Sequence, residues 1–340
     1  MVKKICFKAM LIVGLAILLS ACGGKSQEAV VKKLENQLGD MSGYKAKAEM
    51  KMNTGQAGQT YQIDIWHQKK DNYRVGLTSN EDEKSSQVIL KNKDGVFVLT
   101  PTLNKSFKFQ TEWPDNSSQP YLFQSLVNDI KKDEDAAYEA TDDHYVFRTK
   151  TNYQNNNNLP FQEIYFDKKN YTPVLVKVLD KDKKPLVEVH FSEFKWNPSF
   201  AKDDFVVEEN MQSSGQLADV PTSGNVEEQA LEVFVPSYTS GSELVDKKHV
   251  DLDNGERVIL TYSGEKNFTL IQEAVHDVSV LSMPEEISGD IVNLGFTIGA
   301  LSTNAIEWSH NGMDFYLASD ELTKEELVEV AQSVTEREVK

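Results

Sequence analysis

The sequence predicts an α+β protein in which a large antiparallel β-sheet, covered by a few helices, is followed by a smaller α+β unit. Apolar and polar residues alternate with period two from residue 44 to about residue 207, a pattern typical of strands with one buried face. Only two stretches before that point show helical spacing of apolar residues. A polar segment, residues 209–228, then separates these elements from a second series, residues 229–337.

The alternation in the first part indicates a meander. Tyr61, Ile63 and Ile65 alternate with Gln62 and Asp64, and several later runs behave in the same way. Turn-forming residues separate the runs, and no helical stretch between them is long enough for a parallel crossover. The sequence therefore predicts antiparallel strands that pair in chain order.

Two amphipathic helices are predicted to cover the apolar face of this sheet. Ser26 can cap the first, which begins the domain at residue 28, and residues 120–130 form the second. Alternation alone does not decide whether the covered space is a solid core or a ligand cavity. The aromatic residues expected on the covered face, which are the candidate cavity wall, are Trp66, Tyr73, Phe97, Phe107, Phe109, Trp113, Tyr121, Phe123, Phe147 and Phe166.

The amino terminus carries the features of a lipoprotein signal. Residues 1–21 combine lysines with a short apolar run, which predicts a secretory signal peptide and not a membrane span. Leu19, Ser20, Ala21 and Cys22 resemble a bacterial lipobox. That resemblance implies cleavage before Cys22 and attachment of a diacylglyceryl group to its sulfur. Residues 22–27 would then be a lipidated tether that holds the protein on the outer face of the cytoplasmic membrane.

Charge and cysteine content limit the partners. The formal net charge is −17, and it becomes about −20 once the three signal-peptide lysines are removed. An acidic surface of this kind repels nucleic acid and anionic headgroups, so we expect no nucleic-acid partner and membrane attachment through acyl chains. The two cysteines, Cys6 and Cys22, are assigned to the signal and the lipid site, so no disulfide is expected.

The sequence offers no persuasive catalytic or metal site. None of the six histidines has the i, i+4 spacing of a zinc pair. Residues 251–256 begin like a calcium loop, but Gly255 stands where a ligand is needed and no Glu follows at position 262. Ser42 and Lys45 have Ser-x-x-Lys spacing without the accompanying motifs. We therefore expect a protein that is not an enzyme and uses no cofactor or metal.

The order of features in residues 28–208 resembles the LolA-like lipoprotein carriers. Similar pieces occur in the same order at 39–44, 63–66, 73–75, 94–101, 103–105, 159–167, 173–174, 189–195 and 205–207. Within that fold, residues 95–113 and 149–166 are most similar to Gram-positive sporulation and germination lipoproteins of the YdcC and GerS type. The resemblance implies an unclosed antiparallel β-barrel with lid helices that holds acyl chains.

Two features of the chain differ from a shuttling carrier. The position of the carriers' lid arginine falls on Lys69, whose ammonium lacks the planar fork that bonds several lid carbonyls at once. The lid itself would include Leu126. A protein tethered through Cys22 is also fixed to a membrane, which favours a surface-bound binder over a shuttle.

The part after the linker resembles a small extracytoplasmic α+β domain found in Gram-positive sporulation and regulatory proteins. Residues 306–308, 310–312, 316–317 and 323–333 carry that resemblance. Thr323 and Glu326 have the spacing of a capping box ahead of an apolar stripe, which predicts a helix there. Two functions follow as hypotheses. The first is a lipoprotein that binds lipid or acyl chains during sporulation, spore envelope assembly or germination. The second is a regulator or scaffold that binds an envelope or spore protein, as a two-domain resemblance to RseB and MucB implies.

Overall fold

A computed structural model of the chain describes residues 25–53, 59–79, 86–115, 117–153, 159–215, 233–252, 255–274, 284–287, 289–294, 297–310 and 313–337. The predicted signal peptide, Cys22 and most of the predicted linker lie outside these described residues. The protein is α+β, as the sequence predicts, and most of its described elements are strands.

The first sheet is a long antiparallel meander whose two halves meet through the strands at its start and end. Strand β1 (Gly43–Met52) pairs with β11 (Pro185–Trp196) on one side and with β2 (Gln59–Gln68) on the other. The order is β6-β5-β4-β3-β2-β1-β11-β10-β9-β8-β7, and β6 and β7 do not pair with each other, so the sheet is unclosed. The remaining strands are β3 (Asn72–Ser79), β4 (Gln87–Asn92), β5 (Gly95–Thr100), β6 (Lys105–Phe109), β7 (Ala137–Ala140), β8 (His144–Lys150), β9 (Phe161–Asp167) and β10 (Pro173–Leu179).

Helices α1 (Gln27–Asp40) and α2 (Phe123–Lys132) cover one face of this sheet, which we call the inner face. The Ser26 hydroxyl accepts a hydrogen bond from the Ala29 amide at 3.3 Å, so the predicted cap is confirmed. Helix α2 begins three residues after the predicted start, because Leu122 is still extended and no side chain of its own caps the helix. Val30, Leu34 and Leu126 are fully buried against the sheet.

The opposite, outer face is also partly covered, by helix α3 (Val207–Gly215). Phe205 and Met211 pack there with a second set of apolar residues from β4 and β5. The predicted end of the first unit at residue 208 and the linker start at 209 therefore fall inside a helix that packs on the first sheet. The prediction missed α3 because its apolar spacing is short and its anchor, Met211, was assigned to the polar linker.

The second unit is built on a seven-stranded antiparallel sheet in the order β13-β14-β15-β20-β19-β18-β17. Helix α4 (Lys324–Gln332) covers one face, and the predicted capping box of Thr323 and Glu326 is present. The strands of this unit are β12 (Phe234–Pro236), β13 (Ser242–Leu252), β14 (Gly255–Gly264), β15 (Phe268–Ala274), β16 (Glu285–Ile287), β17 (Asp290–Asn293), β18 (Ile298–Leu301), β19 (Ala305–His310), β20 (Met313–Ala318) and β21 (Val334–Arg337).

The two units share an interface. Strand β16 pairs in parallel with β6 and so becomes the twelfth strand of the first sheet. The Gln87 side-chain oxygen accepts hydrogen bonds from the Ile298 amide at 2.8 Å and the Thr297 hydroxyl at 3.2 Å. Ile298 and Ala300 also join the apolar core of the first unit. The second unit therefore covers the part of the inner face near β4, β5 and β6.

Candidate functional site

The ten aromatic residues predicted to line one covered face do not all lie on that face. Phe107 packs partly buried against the inner-face core, and seven others are buried within it: Tyr73, Phe109, Trp113, Tyr121, Phe123, Phe147 and Phe166. Phe97 and Trp66 lie on the outer face, in the cluster beneath α3. The prediction that these two residues belong to the inner wall is therefore wrong.

The error has a clear structural cause. Strand β5 is covered on both faces, so its residues are apolar on both sides and the alternation does not say which side Phe97 takes. Trp66 follows Ile65, which faces inward, so pleating turns the indole outward. There the ring receives the Lys45 ammonium at 3.6 Å and the Arg74 guanidinium at 4.7 Å from its centroid.

The space beneath α2 contains packed aromatic rings. The Tyr44 and Phe194 rings stack with centroids 5.0 Å apart, and Phe123 meets Trp196 edge-on at 5.0 Å and Phe166 at 6.3 Å. The prediction left out Tyr44, Phe194 and Trp196. The sequence pattern could have found them, because Phe194 and Trp196 alternate at the end of β11 and Tyr44 is the second residue of β1.

Hydrogen bonds fix both ends of α2. The Tyr44 hydroxyl accepts from the Phe123 amide at 3.2 Å and donates to the Gln124 side-chain oxygen at 3.0 Å. Near the other end, the Asp133 carboxylate accepts from the Lys150 amide at 2.8 Å and the Thr149 hydroxyl at 2.9 Å. The helix is thus tied to β1 and to β8, on different parts of the sheet.

The two predicted lid residues are associated with different helices, Lys69 with α1 and Leu126 with α2. The Lys69 ammonium donates to the Gly39 carbonyl in the last turn of α1, and the Lys69 amide donates to the Ser42 carbonyl at 2.8 Å. A single ammonium therefore holds the end of α1. Leu126 is buried in α2.

A cavity of about 410 Å³ lies between the two units. Of the predicted wall residues, Phe107 and Phe109 line it, beside Val98 from the neighbouring strand. Ile271, Ile298 and Ala300 of the second unit also form apolar walls of the cavity. This cavity lies where the second sheet approaches β4, β5 and β6, and not in the space between the first sheet and α2, for which the sequence left a solid core or a cavity open.

Charged and polar residues form one row along this cavity. Arg257, Glu273, Asp314 and Ser309 are consecutive cross-strand neighbours on β14, β15, β20 and β19. Arg257 and Glu273 form an ion pair at 2.7 Å, and the Ser309 hydroxyl donates to Asp314 at 2.6 Å. The Lys105 ammonium, from the first unit, pairs with Asp314. The polar row therefore connects the two units.

An apolar row runs beside the polar one. Ile259, Ile271 and Tyr316 are cross-strand neighbours on β14, β15 and β20. Ile271 and Tyr316 line the cavity, and Tyr316 is 39% exposed. Because one wall is apolar and the adjacent wall is charged, the cavity suits a molecule with an apolar chain and a polar end.

Within the described ranges, no group of three or more His, Cys, Asp and Glu side chains could hold a metal ion. The helices that the structure describes also include none that is long and apolar enough to cross a membrane. Acidic and basic side chains line the cavity together with Ser309, whose hydroxyl donates a hydrogen bond to the Asp314 carboxylate.

Sequence comparison gives a family match and a close relative. The family model described as "Sporulation protein YdcC-like" matches residues 2–205. The sporulation protein YdcC of Bacillus subtilis (strain 168) is 46% identical over 327 residues, covering 96% of this chain and 96% of that protein.

Solved structures give weaker similarity. The Pseudomonas aeruginosa MucA/MucB complex matches with a TM-score of 0.34 and 13% identity, covering 89% of this chain and 97% of the solved chain. The Clostridioides difficile CwlD amidase complex with the GerS lipoprotein gives 0.25 and 18%, covering 51% and 98%. Because these scores are low, the family assignment rests on the sequence matches. The sequence matches confirm the predicted resemblance to YdcC-type sporulation proteins, and the chain belongs to the YdcC-like family of sporulation proteins.

Proposed function

We propose that this sporulation protein is a lipoprotein, held on the outer face of the cytoplasmic membrane by lipidated Cys22, that binds the acyl chain of a lipid between its two units. The role proposed is binding and not catalysis. The observation that carries the proposal is the cavity of about 410 Å³ with apolar walls from both sheets. Each methylene group transferred from water into such walls contributes about 0.8 kcal/mol to affinity.

Palmitate provides a direct test of the cavity. The mature chain without its lipid anchor is expected to bind palmitate, detected as an added mass by native mass spectrometry and as a saturable signal in calorimetry. Ile271→Trp places a larger ring in the cavity and is expected to weaken binding about tenfold or more. Ile259→Trp is the matched control, because Ile259 is the cross-strand neighbour of Ile271 and does not line the cavity. Absence of binding, or equal loss in both variants, would contradict the proposal.

A second candidate function is docking of a protein partner, and strand β13 favours it. This strand is the edge of the second sheet, is eleven residues long and is exposed along most of its length. Leu244, Val245 and Val250 are 40%, 60% and 37% exposed. A long exposed edge with apolar side chains can receive an extended segment of another protein.

A photo-crosslinking residue at Val245 would test this second function in sporulating cells. A protein adduct at Val245, with none from the same residue placed at exposed Asp182, is expected if β13 docks a partner. No adduct at Val245, or equal adducts at both positions, would rule out docking at this edge.

A further inference from the structure

Lys25, at the start of the described chain, is fixed against the first unit. Its ammonium donates to the Tyr171 hydroxyl at 2.5 Å and lies 5.1 Å from the centre of that ring. The Tyr138 hydroxyl donates to the Lys25 carbonyl at 2.8 Å. The Gln27 side-chain amide then donates to the Ala136 carbonyl at 3.0 Å. Hydrogen bonds to the first unit therefore hold the residues immediately before α1 and its first residue.

The surface that receives Lys25 is a packed cluster. The Tyr145 ring lies 6.2 Å from Tyr138 and 5.5 Å from Tyr171 between centroids. Tyr145 and Tyr171 are each only 5% exposed. Since buried rings occupy defined positions, this cluster gives Lys25 a fixed place at one end of the first sheet. The end is formed by the turn before β8 and the turn between β9 and β10.

The covalent distance from this place to the lipid site is short. Gly23 and Gly24 separate Lys25 from Cys22. Three Cα–Cα steps of about 3.8 Å each allow at most about 11 Å between the Cα atoms of Cys22 and Lys25. A lipid on Cys22 therefore enters the bilayer close to the tyrosine cluster.

We infer that the end of the first unit formed by the Lys25–tyrosine cluster and its two neighbouring turns is the membrane-facing surface of the protein. The inference rests on the lipidation of Cys22 proposed above. The exposed residues of this end are of both signs, with Asp142 and Asp143 in one turn and Lys169 in the other. The surface therefore fits a bilayer through its anchor and does not require anionic lipid.

The test compares two positions at opposite ends of strand β10. Asn170 lies in the turn before this strand, and Asp182 lies in the turn after it. Both residues are exposed. The six residue steps of β10 separate its ends by about 20 Å, at about 3.3 Å per residue. If the inferred end faces the bilayer, Asn170 is near the headgroups and Asp182 is not.

The experiment uses the full lipidated protein in phosphatidylcholine vesicles that contain a lipid with a nitroxide on its headgroup. A fluorophore is attached to Asn170→Cys in one sample and to Asp182→Cys in the other. Cys6 leaves with the predicted signal and Cys22 is acylated, so the introduced thiol is the one labelled. Quenching is expected to be several-fold stronger at Asn170. Inserting about 12 Gly and Ser residues after Gly24 should remove the difference.

Equal quenching at the two positions, or stronger quenching at Asp182, would overturn the inference while leaving the anchor in place. The mass of the amino-terminal peptide tests the anchor separately. A peptide without lipid would overturn both the proposed anchorage and this orientation. Tyr138→Phe, which removes the hydroxyl bonded to the Lys25 carbonyl, is expected to reduce quenching at Asn170.

Discussion

Burial of His67 makes the stability of this protein depend on pH. The imidazole is buried, stacks on Tyr73 with centroids 4.4 Å apart and contacts the Asn72 carbonyl through Nδ1 at 3.1 Å. Burial lowers the pKa of His67 from its usual 6.5 to about 4. The unfolded chain therefore binds the proton more tightly than the folded chain.

We expect the free energy of unfolding to fall as the pH drops from about 6.5 to about 4, by up to about 3 kcal/mol from this group. Stability from His67 is complete above that window, where the ring is neutral in both states. His67→Phe should flatten the profile in urea titrations across these pH values. His190→Gln, which removes an exposed imidazole, is the control and should follow the parent. An unchanged slope in His67→Phe would contradict the prediction.

The aromatic residues of the candidate site differ in how clearly the sequence indicates the face on which they lie. The period-two pattern identified the buried aromatics correctly on β8 and β9, where Phe147 and Phe166 face inward. It failed for Phe97, because β5 is covered on both faces and residues 96–99 are apolar on both sides of the strand. The prediction for Trp66 was wrong for a different reason. Trp66 directly follows Ile65 in β2, so the alternation places the two side chains on opposite faces, but Trp66 was assigned to the inner face because it is aromatic.

At the scale of elements, the amino-terminal cap of helix α2 is supplied by a strand, β1. Leu122, at the cap position, has no side-chain hydrogen bond, and the Tyr44 hydroxyl from β1 serves instead. The apolar stripe in residues 120–130 predicted the helix. No local sequence pattern could indicate its cap, because the capping hydroxyl lies 79 residues earlier in the chain.

We expect Tyr44→Phe to destabilise the protein by about 1–3 kcal/mol, because the Phe123 amide and the Gln124 oxygen would lose a buried partner. Urea denaturation followed by far-UV circular dichroism measures the change. Tyr316→Phe removes a hydroxyl from an exposed ring and should have little effect. Equal stability of Tyr44→Phe and the parent would show that the tyrosine cap is not required.

Helix α3 gives a second prediction at this scale. Met211 is buried on the outer face with Phe97 and Leu99, so Met211→Ala should cost about 2 kcal/mol or more in unfolding free energy. Gln212→Ala changes an exposed neighbour and should cost little. Palmitate binding should stay unchanged in both variants, because α3 lies on the face opposite the cavity. Unchanged stability in Met211→Ala would mean that α3 does not belong to the first unit's core.

At the scale of the whole molecule, Gln87 couples the two units. Its side-chain oxygen accepts two hydrogen bonds from residues of the second unit and is itself buried. Gln87→Leu leaves the Ile298 amide without this acceptor, whereas the Thr297 hydroxyl can still donate to the Ser309 carbonyl at 2.8 Å. We expect the lost Ile298 bond to weaken coupling by about 2 kcal/mol.

Hydrogen exchange of residues 297–310 measures that coupling. Faster exchange there, with β1 and β2 unchanged, is expected for Gln87→Leu. Gln62→Leu, at an exposed position whose amide contacts Glu49, is the control and should behave as the parent. Exchange that rises equally throughout both sheets would indicate a general loss of stability and contradict a role in coupling.

The sequence by itself determined the local features of this protein. Alternation indicated the antiparallel strands, apolar spacing indicated α1, α2 and α4, and Ser26 and Thr323 marked helix starts, because these signals depend on neighbours in the chain. The tertiary structure decided which face carries Trp66 and Phe97, that β16 joins the first sheet and where the cavity lies. These features depend on contacts between residues far apart in sequence, such as Phe107 with Glu285 and Gln87 with Ile298. Local periodicity does not indicate which distant residues pair, so only the folded chain shows where these contacts form.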